Sequence, residues 1–73
     1  GMSREQVVGQ EGMVTRVGDH REGQVRFSIP VLGNDEWSYI CREPLIVGDR
    51  VIVEDISGNS LIVRRQRGAK AAE

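Results

Sequence analysis

The sequence predicts an all-β domain in which five short strands close into a small barrel, and three observations carry that prediction. The chain has 73 residues, 38% of them apolar, which is enough for one thin core and too little for two domains. Its apolar residues fall into five short runs rich in Val, Ile and aromatics, each bounded by Gly, Pro, Asn, Asp or Ser. Between those runs there is no room for a helix of ordinary length. Five strands bury a two-sided core and hide their edges by closing on themselves, as an OB-type or an SH3-like barrel does.

Gly1-Met2 reads as an expression remnant, and Ser3 to Gln10 is polar apart from Val7 and Val8, with Gly9 interrupting any helical repeat before two turns are complete. Residues 1–10 are therefore expected to be a lead-in, 11–65 the barrel and 66–73 a flexible basic tail. The first strand is Gly12 to Val17, closed by the turn-like Gly18 to Gly23. Gln24 to Pro30 then alternates without a fault, placing Val25, Phe27 and Ile29 on one face and Gln24, Arg26 and Ser28 on the other. Pro30 ends that run, and Val31 to Glu36 follows as a connection.

The third strand, Trp37 to Arg42, is expected to turn Trp37, Tyr39 and Cys41 inward. Glu43 to Asp49 carries the chain, through Pro44 and a Gly48-Asp49 turn, to a fourth strand over Arg50 to Ile56. Ser57 to Ser60 forms a four-residue hairpin loop into the fifth strand, Leu61 to Arg65. The predicted interior is Val25, Phe27, Ile29, Val51, Val53, Leu61 and Val63.

Charge separates along the chain. Residues 1–63 hold six Arg against ten acids, a net of −4, while 64–73 hold four bases against one acid, a net of +3. An acidic body opposes binding to phosphates, whose affinity comes largely from cations that displace counterions. The single cysteine, Cys41, forms no internal disulfide and points to a reducing compartment. No apolar run approaches the roughly 18 to 20 residues that cross a bilayer, and no leader precedes the first charges, so the chain as given is expected to be neither inserted nor secreted.

Several spacings together resemble a known family. They are Val8-Gly9-Gln10-Glu11-Gly12-Met13-Val14-Thr15, then Gly23-Gln24-Val25-Arg26-Phe27, then Trp37 in a short strand. Ile46-Val47-Gly48-Asp49-Arg50-Val51-Ile52-Val53 and Gly58-Asn59-Ser60-Leu61-Ile62-Val63 complete the set. From about Val7 to Arg64 the chain looks like the C-terminal soluble domain of NfeD-like proteins. That resemblance implies a five-stranded OB barrel lacking the usual helix, attached to bacterial membrane proteins that work with stomatin or flotillin-like partners. Two departures stand out: the Val31 to Glu36 connection is longer than the family's tight turn, and Tyr39 occupies a position where a small residue is common. The serine protease domain of long relatives has no room in this chain, so protease activity is not implied.

The residues themselves offer little chemistry. His20, the only imidazole, sits beside Asp19, Arg21 and Glu22 in a turn, which is short of the three or four ligands of a zinc site. Cys41 falls at an inward strand position and reads as an inert thiol. Ser38, Ser57 and Ser60 lack a nucleophile elbow, and Asp35-Glu36 and Glu54-Asp55 are neighbours that point apart in a strand. Phe27 reads as core, and Trp37 and Tyr39 share one strand face, so no stacking platform for bases is evident.

No enzyme, cofactor or metal is therefore expected. The reading is a non-enzymatic interaction module at the inner, cytoplasmic face of a membrane, with a protein partner of the stomatin or flotillin type. Homo-oligomers and a longer, membrane-spanning native chain are left open. The candidate partner surface is Trp37, Ile40 and Leu45. The alternative is a nucleic-acid-binding module with Arg16, Arg26, Arg42, Arg64, Arg65, Arg67 and Lys70 as candidate anion contacts.

Overall fold

A computed structural model describes residues 4–66. A single helical turn, α1 (Arg4–Val7), leads into β1 (Glu11–Val17), β2 (Glu22–Val31), β3 (Asn34–Cys41), β4 (Arg50–Ser57) and β5 (Ser60–Arg65). The strands form a closed barrel in the order β1-β2-β3-β5-β4. Every contact is antiparallel except β3 with β5, which runs parallel through rungs such as Tyr39↔Leu61 and Cys41↔Val63. This order, with its one parallel closure, is that of an OB barrel and not of the SH3-like alternative. Residues 1–3 and 67–73, which hold the first three residues of the expected lead-in and all of the expected basic tail except Gln66, lie outside the described residues.

Closing so few strands demands strong coiling, and bulges supply it. The β1–β2 register slips between Val14 and Arg16, and the β4–β5 register slips between Val53 and Asp55. Between the bulges, strict alternation turns Val14, Val25, Val51, Val53, Leu61 and Val63 inward, all at 2% exposure or less, with Phe27, Tyr39 and Cys41 beside them. Gly12 and Gly23 are also buried. A Cβ on Gly23 would stand 2.1 Å from the Arg16 carbonyl oxygen, so only a glycine lets β1 and β2 cross there with the Tyr39 ring beneath them.

Three expectations need correction. Ile29 is 74% exposed and not core. After the rung Arg26↔Glu36 the next is Val31↔Asn34, so Phe27 to Pro30 faces the lone Asp35 in a wide bulge, and the alternation that placed Ile29 inward ends there. The Val31 to Glu36 connection is in fact a two-residue turn, Leu32-Gly33, with φ of 51° and 88°. Positive φ at both central residues matches the right-handed twist of a hairpin, and the half-buried Leu32 packs against the core. The β4–β5 loop is likewise two residues long, since Ser57 pairs with Ser60 and Gly58 has a φ of 59°.

One core residue came from outside the predicted barrel. Val7 is fully buried: α1 folds back so that the Gly9 N–H donates to the Val53 carbonyl and the Val53 N–H donates to the Gln10 carbonyl. A 2.9 Å ion pair between Arg4 and Asp55 lies alongside. The Asp55 carboxyl is held below its usual value of 3.8, first by the Ile56 N–H and then by Arg4.

Candidate partner-binding surface

The barrel opens along one seam. Its β1–β2 ladder stops at Met13↔Arg26, and beyond that rung Glu11 and Gly12 pair with β4 alone. The β2 bulge swings away from both neighbours, leaving an open groove of about 450 Å³ bordered by Glu11, Met13, Thr15, Arg26, Asp35 and Arg50. Gly12 and Phe27 lie at its base, where a Cβ on Gly12 would meet the Phe27 ring at 2.8 Å. A second opening continues from it past Gln10 and Ser28 to Ile29. Arg26 and Asp35, 3.8 Å apart, face each other on its wall. Sequence reasoning missed this site because Ile29 reads as one more inward residue of an unbroken strand.

The predicted partner surface is not one surface. Leu45 is a core residue, 5% exposed, not a surface one. Trp37 is half-buried on the inward side, and its indole N–H donates to the carbonyls of Val31 and Asn34. Ile40 lies on the opposite, outer face, 42% exposed beside Ile62 on the parallel neighbour β5. The three side chains therefore point to separate places.

The candidate anion contacts are scattered too. Arg26 is paired with Asp35, Arg64 with Glu54 at 3.2 Å, and Arg65 with both Glu43 and Asp49 at 3.6 Å. Arg16 pairs with Gln24 two rungs along from Arg26, Arg42 follows the end of β3, and Arg67 and Lys70 are outside the described residues. With Phe27 and Tyr39 buried and Trp37 tied down, no ring is free to stack on a base. Nothing in this arrangement supports the nucleic-acid alternative.

Of the groups singled out for chemistry, His20 is exposed in the β1–β2 loop and Cys41 is buried in the core. Among the described residues, no three His, Cys, Asp or Glu gather as a metal site. The Tyr39 hydroxyl is pushed above its usual value of 10.0, chiefly by burial. No described helix is long and apolar enough to cross a membrane.

The comparisons with known proteins agree with this fold. The family model described as NfeD-like C-terminal, partner-binding domain matches residues 4–65. No curated protein matches the chain. Among solved structures, the C-terminal domain of stomatin operon partner protein 1510-C from Pyrococcus horikoshii is similar at 28% identity and a TM-score of 0.70. That likeness covers 89% of this chain and 95% of that one. The soluble domain of a membrane protein implicated in regulation of membrane protease activity, from Corynebacterium glutamicum, is 30% identical with a TM-score of 0.64. It covers 84% of this chain and 94% of that one. With the family model matching residues 4–65 of a barrel to which both solved domains are similar, the chain belongs to the NfeD-like C-terminal, partner-binding domain family.

Proposed function

We propose that this domain is a non-catalytic adaptor that grips an extended segment of a stomatin-type membrane protein in the groove between the start of β1 and the β2 bulge. The observation that carries this reading is Ile29. It is the most exposed large apolar side chain of the described residues, held on a stretch with no ladder partner across from it and beside an open groove. An unpaired strand edge supplies backbone hydrogen bonds to an added strand, and an apolar anchor beside it supplies affinity. The partner class is supported by the similar Pyrococcus domain, which is described as a stomatin operon partner.

Absence of catalysis is supported by the separation of His20 and Cys41 into an exposed loop and a packed core. Calorimetric titration of the chain with a stomatin-type protein from the same genome tests the reading. Binding is expected, with a loss of about tenfold or more for Ile29→Ser, as for a hot-spot truncation, and an unchanged melting temperature. Equal affinity of the two forms would refute the groove, and no binding would refute the partner.

A further inference from the structure

The two arginines of the groove stand in one row. Met13 pairs with Arg26 of β2 on one side and with Arg50 of β4 on the other, so the three residues share one rung across the barrel. Their neighbours Val14, Val25 and Val51 are buried, which turns Arg26, Met13 and Arg50 outward together at the closed end of the groove. Arg26 has a loose partner, since Asp35 is 3.8 Å away and beyond hydrogen-bond length. Arg50 has no ion pair among the described residues. Its place is nevertheless fixed, because its carbonyl accepts from the Gln66 N–H at 2.8 Å. Met13, between the two, is 41% exposed.

Main-chain groups fix where an occupant lies. The Val14 N–H donates to the Asp49 carbonyl and the Val14 carbonyl accepts from the Gly48 N–H, both on the β4 side. These directions alternate along a strand, so the N–H and C=O of Glu11 point the other way, into the groove, where β2 offers no rung. The Glu11 carboxylate is taken up elsewhere, accepting from the Gln66 side-chain amide at 3.4 Å. A segment bonded to the Glu11 main chain therefore lies next to the Met13 rung, with Arg26 at its end and Arg50 one strand away across Met13.

We propose that Arg50 and Arg26 read an acidic side chain, Asp or Glu, in the extended segment that fills the groove. This rests on the adaptor reading of the groove and adds the chemistry of its occupant. Neighbouring strands stand about 4.8 Å apart, so a carboxylate over Met13 is within reach of both guanidiniums. Each can pair with it bidentately while the Met13 side chain keeps water from the contact. One unmatched guanidinium suits one negative charge. Asp35 and Glu11 on the same walls oppose the second charge of a phosphate and the repeated charges of a nucleic acid. Ile29 lies three residues along β2 from Arg26, a distance of about 10 Å at about 3.3 Å per residue. The segment should accordingly carry an aliphatic residue about two or three positions from the acid, so that one side chain meets Ile29 as the other meets the arginines.

Selection of a random-peptide phage library on the full chain tests it, followed by fluorescence polarisation of a selected peptide. Enriched peptides should carry Asp or Glu near an aliphatic residue at that spacing. Arg50→Gln should weaken the selected peptide about tenfold, and exchange of its acidic residue for the matching amide should do the same. The two changes together should cost little more than either alone, since each removes one side of the same contact. Arg50→Lys, which keeps the charge and loses the fork, should recover part of the loss. Both Arg50 variants should melt with the parent, because the side chain is exposed. Enrichment of peptides without an acid, or an Arg50→Gln affinity equal to the parent's, would overturn the proposal, and would leave the groove standing where Ile29→Ser still abolishes binding. Enrichment of no peptide, or binding untouched by both Arg50→Gln and Ile29→Ser, would remove the groove reading as well.

Discussion

Replacing Gly23 by alanine tests whether β1 and β2 cross as closely as described. The new methyl carbon would lie 2.1 Å from the Arg16 carbonyl oxygen and 2.9 Å from two atoms of Tyr39. Separation from the oxygen must grow by about 1 Å to reach an ordinary contact, and the obstacle is main chain, which no rotamer change relieves. Overpacking a tight site costs about 1–3 kcal/mol, and a backbone obstacle places this substitution at about 3. The entropy that alanine removes from the unfolded chain returns only about 0.4–1 kcal/mol. A net loss of about 2–3 kcal/mol is a large part of the roughly 4–11 kcal/mol that a domain of this length commands. It should lower the melting temperature by about 10–20 °C, taking about 4–8 °C per kcal/mol. Thermal unfolding followed by far-ultraviolet circular dichroism reads this directly. A drop of under about 4 °C would mean that the strands have room to part, and that Gly23 is not the reason for their close crossing.

Further outcomes follow from other parts of the fold. Val7→Ala removes two buried methyl groups and should cost about 2 kcal/mol, from about 0.8 kcal/mol per group and the cavity left behind; urea unfolding measures it, and a loss near zero would show that α1 is not docked. Tyr39 has a folded pKa raised above 10.0, so the unfolded chain releases that proton first. Its stabilisation is therefore complete below about pH 10 and is lost as pH rises through the folded value. The urea midpoint should fall in that alkaline window, and less steeply in Tyr39→Phe. Asp55 has its folded pKa below 3.8, so its contribution is present above that value and disappears as the solution is acidified through the folded value. Acid titration of stability should accordingly be flatter for Asp55→Asn. Leu32→Asn exchanges a residue held at a φ of 51° for one that tolerates it, at the expense of a half-buried side chain. Its net change should stay within about 1 kcal/mol by thermal melting.

Much of the barrel was legible because its interior obeys period two: Val25 and Phe27 alternate with polar residues, Val51 and Val53 flank Ile52, Leu61 and Val63 flank Ile62, and each of the six is buried while the two isoleucines are only half-buried. Ile29 broke the rule because the β2 bulge is set by how far β3 extends before pairing with it, a matter of tertiary register that no local pattern encodes. Val7 was illegible for the opposite reason, since a helix of one turn has no period to read. The Leu32-Gly33 turn hid behind a leucine, which rarely takes a left-handed conformation and so does not look like a turn residue. The exposed pair Ile46-Val47 reads in sequence as the approach to a strand, and only the bonds from Asp49 and Val14 show it to be a fixed tip.

The parallel closure of β3 on β5 has a kinetic consequence. β1 with β2, β2 with β3, and β4 with β5 are hairpins that can zip locally. The β3–β5 rungs instead join residues 22 positions apart, as in Tyr39↔Leu61, and cannot form until the hairpins meet. Loop closure of that kind is slow relative to local pairing, and all-β domains with such contacts fold in milliseconds to seconds. In stopped-flow refolding, substitutions that weaken the β3–β5 seam should then slow folding, because the seam closes in the slow step.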